Sequence, residues 1–254
     1  MLRVYHLFIG AILLVFMPVG AKFVLPHFSN AVVDKPSSVT TPTQNTPPQS
    51  NSALGANATT GNIWQKVLGS TPTPDGWVVA PCEGTAPLLC VSSQGKLLGT
   101  VEIGVYPVKN HPDFQKNLIS AGIPLDTNVN YQSSDYQKQL LTALNIWVAD
   151  FKTALAKDRQ VTYKNDTVFS AHPPQQASVG KLTGVRYGFV GIKKDGAVKE
   201  QNIGYVAFDG TNLYVITTAF DPGAVTGKFE RLENLAIFQP YLSAIAADLQ
   251  LAVK

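Results

Sequence analysis

Two Asp-Gly pairs, Asp195-Gly196 and Asp209-Gly210, separate runs in which apolar and polar side chains alternate. Alternation of period two places one face of a strand against a core, and Asp-Gly accepts the positive φ of a tight hairpin. The pattern predicts three antiparallel strands in series, over 182–192, 198–208 and 213–220. Val185, Tyr187 and Phe189 share one face of the first, and Ile203, Tyr205 and Ala207 share one face of the second. Once this meander is present, the rest of the chain has to cover it.

Upstream the same logic gives a strand from Trp77 to Cys82, its return over 88–92, and a turn at Ser92-Ser93-Gln94-Gly95. A strand over 97–106 follows, with Val101, Ile103 and Val105 on one side and Thr100, Glu102 and Gly104 on the other; Pro107 ends it. Trp64 and Val67-Leu68 form a short segment that can dock on the core.

Helical spacing appears twice. Leu140, Leu144, Trp147, Phe151 and Leu155 make a stripe about four turns long, opened by a Ser134/Gln137 capping pattern and closed by Lys157 and Arg159. Leu232, Leu235, Phe238, Leu242, Ile245 and Leu249 make a second stripe over 229–249. Pro240 lacks a backbone donor and predicts a kink or break near 238–239. Between the first helix and the meander only a short strand over 168–171 is expected, because Pro173-Pro174 interrupts it. Strands and helices are segregated, with no βαβ alternation. The expected fold class is α+β, an antiparallel sheet flanked by helices as an α/β/α sandwich.

The chain divides at the sequence level into 1–35, 36–62 and 63–254. Arg3 precedes an uncharged run from Val4 to Ala21 centred on LFIGAILLVFM, the pattern of an export signal or membrane anchor. Val19 and Ala21 suit cleavage before Lys22; the continuation to Leu25 gives about 33 Å of helix, enough to span a bilayer core. Both outcomes place the rest of the chain outside the cytoplasm, in a periplasm or a thylakoid lumen, either anchored through the N-terminal segment or secreted. Residues 36–62 carry no charge and are rich in Ser, Thr, Pro and Asn, the composition of a spacer that buries no core. A tether of this kind concentrates a domain near partners in the membrane.

Of the 20 Lys and Arg residues, Arg3, Lys22 and Lys35 precede residue 63, and of the 17 acidic residues Asp34 does. The folded part is close to neutral and has no basic stripe, which argues against nucleic acid as a partner. Cys82 and Cys90 flank EGTAPLL, and in an exported domain a disulfide stapling the first hairpin is expected. Two buried thiols or a metal pair are the alternatives, and the metal pair has no His or third Cys nearby.

The order of elements, Gly76-Trp77 opening the first strand, GVRYGF (184–189), GYVAFDGTNLYVITTAF (204–220) and the closing amphipathic helix resemble the PsbP-like proteins, extrinsic proteins of the photosystem II family. The resemblance covers roughly 77–251. It implies binding to, or helping to assemble, a membrane protein complex on its lumenal or periplasmic face, and no enzymatic activity. No ligand residue of that family maps onto a position here. The spacer and the Cys82/Cys90 pair depart from its pattern and suggest a divergent relative.

No motif carries chemistry. His6 and His27 lie in or beside the export segment; His111 and His172 each precede Pro and have no second ligand at i+2 or i+4. There is no nucleophile elbow, phosphate loop or dinucleotide fingerprint. The expectation is a non-catalytic interaction module with no cofactor and no metal. Its partner surface is placed in the loop over 108–133, within which Asp113 to Ser120 can form one short helix, at His111, Asp113 and Phe114; no sheet or helix requirement explains the length of this loop. The alternative is a binder of a small apolar ligand, with Tyr187, Tyr205, Tyr214 and Trp147 lining the pocket, or an enzyme working through that loop.

Overall fold

In the computed structural model the chain divides into two units, Met1–Ala56 and Asn57–Lys254. The structure describes residues 62–84, 86–125, 130–163, 166–223 and 228–251, all in the second unit. The export segment and the spacer as far as residue 61 lie outside the described residues.

Seven strands form one antiparallel sheet: β1 Trp77–Pro81, β2 Leu88–Ser93, β3 Lys96–Pro107, β4 Thr167–Val179, β5 Leu182–Lys193, β6 Val198–Phe208 and β7 Asn212–Phe220. Their spatial order is β1-β2-β3-β7-β6-β5-β4. Among the described residues four α-helices accompany them: α1 Trp64–Val67, α2 Pro112–Ser120, α3 Ser134–Tyr163 and α4 Leu232–Asp248. The two sheet faces carry separate cores. On one face Val101, Ile103, Ile203, Tyr205 and Ile216 meet Phe238, Leu242 and Ile245 of α4 and Trp64 of α1. On the other, Val185, Tyr187, Val206, Phe208 and Val215 meet Phe114 and Leu118 of α2 and Leu140, Leu144 and Val148 of α3. The fold is therefore the expected α+β sandwich, and the alternation in the meander sends its side chains to the two cores in turn.

The meander turns by a different device from the one expected. Gly196 and Gly210 take positive φ, and among the described residues Gln94 is the only non-glycine to do so. Asp195 and Asp209 instead accept backbone N–H groups through Oδ1, from Ala197 at 2.9 Å and from Thr211 and Asn212 at 2.7 and 2.6 Å. The tight pair with positive φ at both positions is Gln94-Gly95, between the paired residues Ser93 and Lys96.

Three expected boundaries move. β4 runs on through Pro173-Pro174 to Val179, because it is an edge strand and takes up the prolines in a bulge between His172 and Gln175. α4 carries Pro240 internally and does not break; Pro240 and Ala236, whose carbonyl loses its usual donor, both lie on the exposed side where water can serve that carbonyl. α3 extends to Tyr163, well past Leu155. At its start Gln137 does not reach back to form a capping box, but donates through Nε2 to Thr183 Oγ1 at 3.0 Å. Asn62, placed at the end of the spacer, belongs to the fold: it is buried, and its Nδ2 donates to the carbonyls of Cys82 and Leu88 at 3.0 and 3.1 Å, clasping both arms of the first hairpin.

Candidate functional site

Cys82 and Cys90 are joined by a disulfide, with Cα atoms 5.1 Å apart. The bridge belongs to the outer face of β1 and β2. Cross-strand partners on an antiparallel pair share a face, and the register sets Val78 opposite Ser92, Ser92 opposite Leu97, and Ala80 opposite Cys90. Val79, Leu89 and Val91, one step out of phase, point into the α1/α4 core. No described residue of the α2/α3 core comes from β1 or β2, so this outer face has no helix over it among the described residues. Val78 is 59% exposed and Leu97 51%. The result is a stapled hairpin whose outer face presents a short row, Val78, Ser92 and Leu97, apolar at both ends, with a well-packed core behind it.

Within the 108–133 segment the short helix expected over 113–120 is present, but its residues are used differently from the expected partner surface. Pro112–Ser120 is helix α2. Phe114 is buried edge-to-face on Phe208, with ring centroids 5.4 Å apart, so its ring is a core group and not part of a surface. Leu118, Ile123 and Tyr131 are buried with it. His111 makes an edge-to-face contact with Tyr106, and partial burial lowers its pKa against the opposing pull of Asp113. Asp113 is exposed and pairs with Lys116 at 3.1 Å. Of the three residues, Asp113 is outward-facing, His111 lies at the helix start, and Phe114 ties the helix to the sheet.

The aromatic pocket of the alternative reading does not form among the described residues; these rings pack into the cores. Tyr187 and Trp147 belong to the α2/α3 side, where Trp147 stacks on Phe151 at 5.4 Å and both meet Tyr187 edge-on. Tyr205 and Tyr214 belong to the α1/α4 side. Tyr205 Oη is 2.6 Å from Ser243 Oγ, and Tyr214 Oη donates to Asp209 Oδ2 at 2.8 Å. Alternation in the sheet sends these rings to opposite faces.

A buried ion pair joins α3 to β6. Arg159 Nε donates to both oxygens of Glu200 at 3.0 Å, and Arg159 Nη1 to Asp158 Oδ2 at 2.6 Å. Burial raises the Glu200 carboxyl above the ordinary carboxylate value, against the pull of Arg159. Burial works against the Arg159 cation too, but the charge and hydrogen bond of Glu200 outweigh it and hold the guanidinium up. Burial, with Glu200, pushes the neighbouring Tyr163 phenol up to about 12. Tyr163 also stacks on Phe169 and lies under Lys199 Nζ, 5.3 Å from its ring centre. The sequence suggested a dipole-closing cation at Arg159; its partner is far away in the chain, so no local pattern identifies it. The cluster works as a structural lock in which the two buried charges satisfy each other.

One concavity is polar. A cleft of 320 Å³ on the α4 side of β4, β5 and β6 is lined by His172, Gln175, Arg186, Gln201, Ile203 and Gln239, among others. The bulge in β4 builds it. His172 pairs with Gly188 and Gln175 with Arg186, so three steps on β4 match two on β5. In a regular strand residues three apart face opposite ways; the bulge puts both on the cleft side. Read from local pattern alone, this Pro-Pro segment is only the end of a strand.

Among the described residues no group of three or more His, Cys, Asp and Glu side chains is placed to hold a metal, and no helix is long and apolar enough to cross a membrane. No known family profile matches the chain, and no curated protein matches it. Among solved structures, the solution structure of cyanobacterial PsbP (CyanoP) from Synechocystis sp. PCC 6803 aligns over 70% of this chain and 84% of its own, at 9% identity and a TM-score of 0.33.

Proposed function

We propose that the chain is an exported, non-catalytic interaction module that docks on a membrane protein complex through the outer face of β1 and β2. One observation carries this reading: the sheet is clad on both faces over β5–β7, whereas Val78 on β1 and Leu97 on the adjoining start of β3 stay more than half exposed on the outer face, beside the Cys82–Cys90 bridge that cross-links the hairpin. A rigid apolar row with a full core behind it loses little conformational entropy on docking. The disulfide fits an oxidising compartment, and the apolar N-terminal run and uncharged spacer fit delivery to, and retention near, a membrane surface. A photosynthetic complex is the partner implied by the sequence resemblance to PsbP-like proteins.

The test is retention on native membranes. The tagged full chain is solubilised in mild detergent and its co-purifying proteins are compared with those of the Val78→Ser/Leu97→Ser variant. A discrete membrane complex held by the parent and lost from the variant is the expected result. Equal recovery by both rejects the docking face, and turnover of a substrate by the purified chain rejects the non-catalytic reading.

A further inference from the structure

We infer that the cleft between β4, β5 and α4 is a binding site for the oxyanion, carboxylate or phosphate, of a small polar molecule, held by Arg186. The inference is independent of the docking face, which lies on the opposite side of the sheet.

Four observations converge on Arg186. It stands on β5 between Gly184 and Gly188, on the cleft side, in a cross-strand row with Gln175 and Tyr205. Its Nε is buried and, among the described residues, has no hydrogen-bond partner. Its Nη1 contacts only the neutral Gln175 Oε1, at a long 3.4 Å. The lining contains no carboxylate. A buried guanidinium N–H left unpaired is costly, and a cation in a half-closed site without a counter-charge is unusual unless something supplies one. By contrast Arg159, the other inward-facing arginine, is held by carboxylates on two sides.

The rest of the cleft suits a ligand larger than a bare ion. Gln175, Gln201 and Gln239 each offer an amide donor and acceptor, and His172 offers a ring nitrogen, so neutral hydroxyl or amide groups can be matched around the anion. The volume lies at the lower end of small-molecule sites, roughly 300–1,000 Å³. Gly188 keeps the floor open: a Cβ there would come within 3.0 Å of the Asn202 carbonyl and 3.5 Å of the His172 ring. The Nε–Nη edge of a guanidinium matches two oxygens of a carboxylate or phosphate in parallel, which lysine cannot do.

The experiment titrates the purified full chain with inorganic phosphate, with citrate and, as an ionic-strength control, with chloride. Binding is followed by calorimetry and by the Arg186 Nε–H NMR signal. The expected result is saturable binding of phosphate, citrate or both, with a shift of that signal and at most a weak unsaturable response to chloride. Phosphate alone assigns a phosphate ester, and citrate alone a carboxylic acid. Arg186→Lys keeps the charge but loses the fork and should weaken binding at least tenfold. Gln239→Leu, on α4 and outside the sheet ladder, should weaken it severalfold in a chain that still folds, and Lys96→Gln, away from the cleft, should leave it unchanged. No saturable binding by either anion, or binding that both Arg186→Lys and Gln239→Leu leave intact, overturns the inference.

Discussion

The two ends of this sheet solve the same packing problem in different ways. Towards one end, inside the largely exposed edge strand β4, strands β5, β6 and β7 are buried on both faces, by α4 on one side and α2 and α3 on the other. At the other end the β1–β2 hairpin has one helical cover, and its second face is bare among the described residues. The clad end is held by side-chain burial and by the Arg159–Glu200 lock. The bare end is held by a covalent bridge and by the Asn62 and Trp64 clasps, the latter an Nε1–H donated to the Pro87 carbonyl at 2.7 Å. Where burial is available on both sides a strand needs no staple. Where one face is kept free, the missing burial has to be replaced by cross-links that leave that face open.

The largest effect should come from breaking the lock at the clad end. Glu200→Ala leaves a buried guanidinium without its main partner and should cost ~3–5 kcal/mol, read by chemical denaturation. The double change Arg159→Met/Glu200→Leu should recover much of that loss, since an apolar pair of similar volume leaves no charge unpaired. If Glu200→Ala is neutral, the clad end does not depend on this pair.

Removing the staple comes next. Cys82→Ala/Cys90→Ala opens a short loop, for which chain entropy gives roughly 2–3 kcal/mol. Hydrogen exchange should quicken in 77–93 far more than in 182–220, because the hairpin opens as a local unit. Uniform acceleration would show that the two ends are one cooperative body and remove the contrast.

How much of this was legible in the sequence follows the same division. The meander was readable because its alternation and turns are local, and so was the first hairpin with its cysteine pair. What was hidden depends on contacts across the sheet. α3 extends to Tyr163 because Arg159 finds Glu200 and Tyr163 finds Phe169, neither encoded by helical spacing. β4 continues through two prolines because it is an edge, a property of strand order alone. The polar cleft exists because a bulge re-aims His172 and Gln175, and no sequence period marks a bulge. The 108–133 segment looked free of structural duty because its buried residues, Phe114, Leu118, Ile123 and Tyr131, are spread over a helix and two loops with no single period. Deleting α2 from this segment should open the α2/α3 core.

A smaller effect separates surface from core at the bare end. Val78→Ser/Leu97→Ser should change stability by no more than about 0.5 kcal/mol, as for exposed sites without special contacts. A loss of several kcal/mol in a melt of the purified chain would mean that this row is covered.

The smallest effect depends on pH. Tyr163 in the fold ionises at about 12 against an ordinary 10.0, so the native chain keeps that proton after the unfolded chain has lost it. Its contribution is full below pH 10 and is lost as pH rises towards 12. Tyr163→Phe should therefore lose less stability than the parent across that window, in denaturation curves run in parallel at each pH. Identical slopes would place the phenol in ordinary solvent.

The most direct measurement of the central claim is site-specific photo-crosslinking of the full chain in its native membrane. The probe is placed in turn at Val78 and Leu97 on the bare face, at Ile119 on α2, and, at the far side of the sheet, at Val161 on α3 and Val168 on the edge strand β4, all exposed in the fold. Adducts to one discrete membrane protein from positions 78 and 97, and not from 161 or 168, are the predicted result. Adducts from 119, 161 or 168 alone, or from 78 and 97 only to the chain's own N-terminal segment, would contradict it.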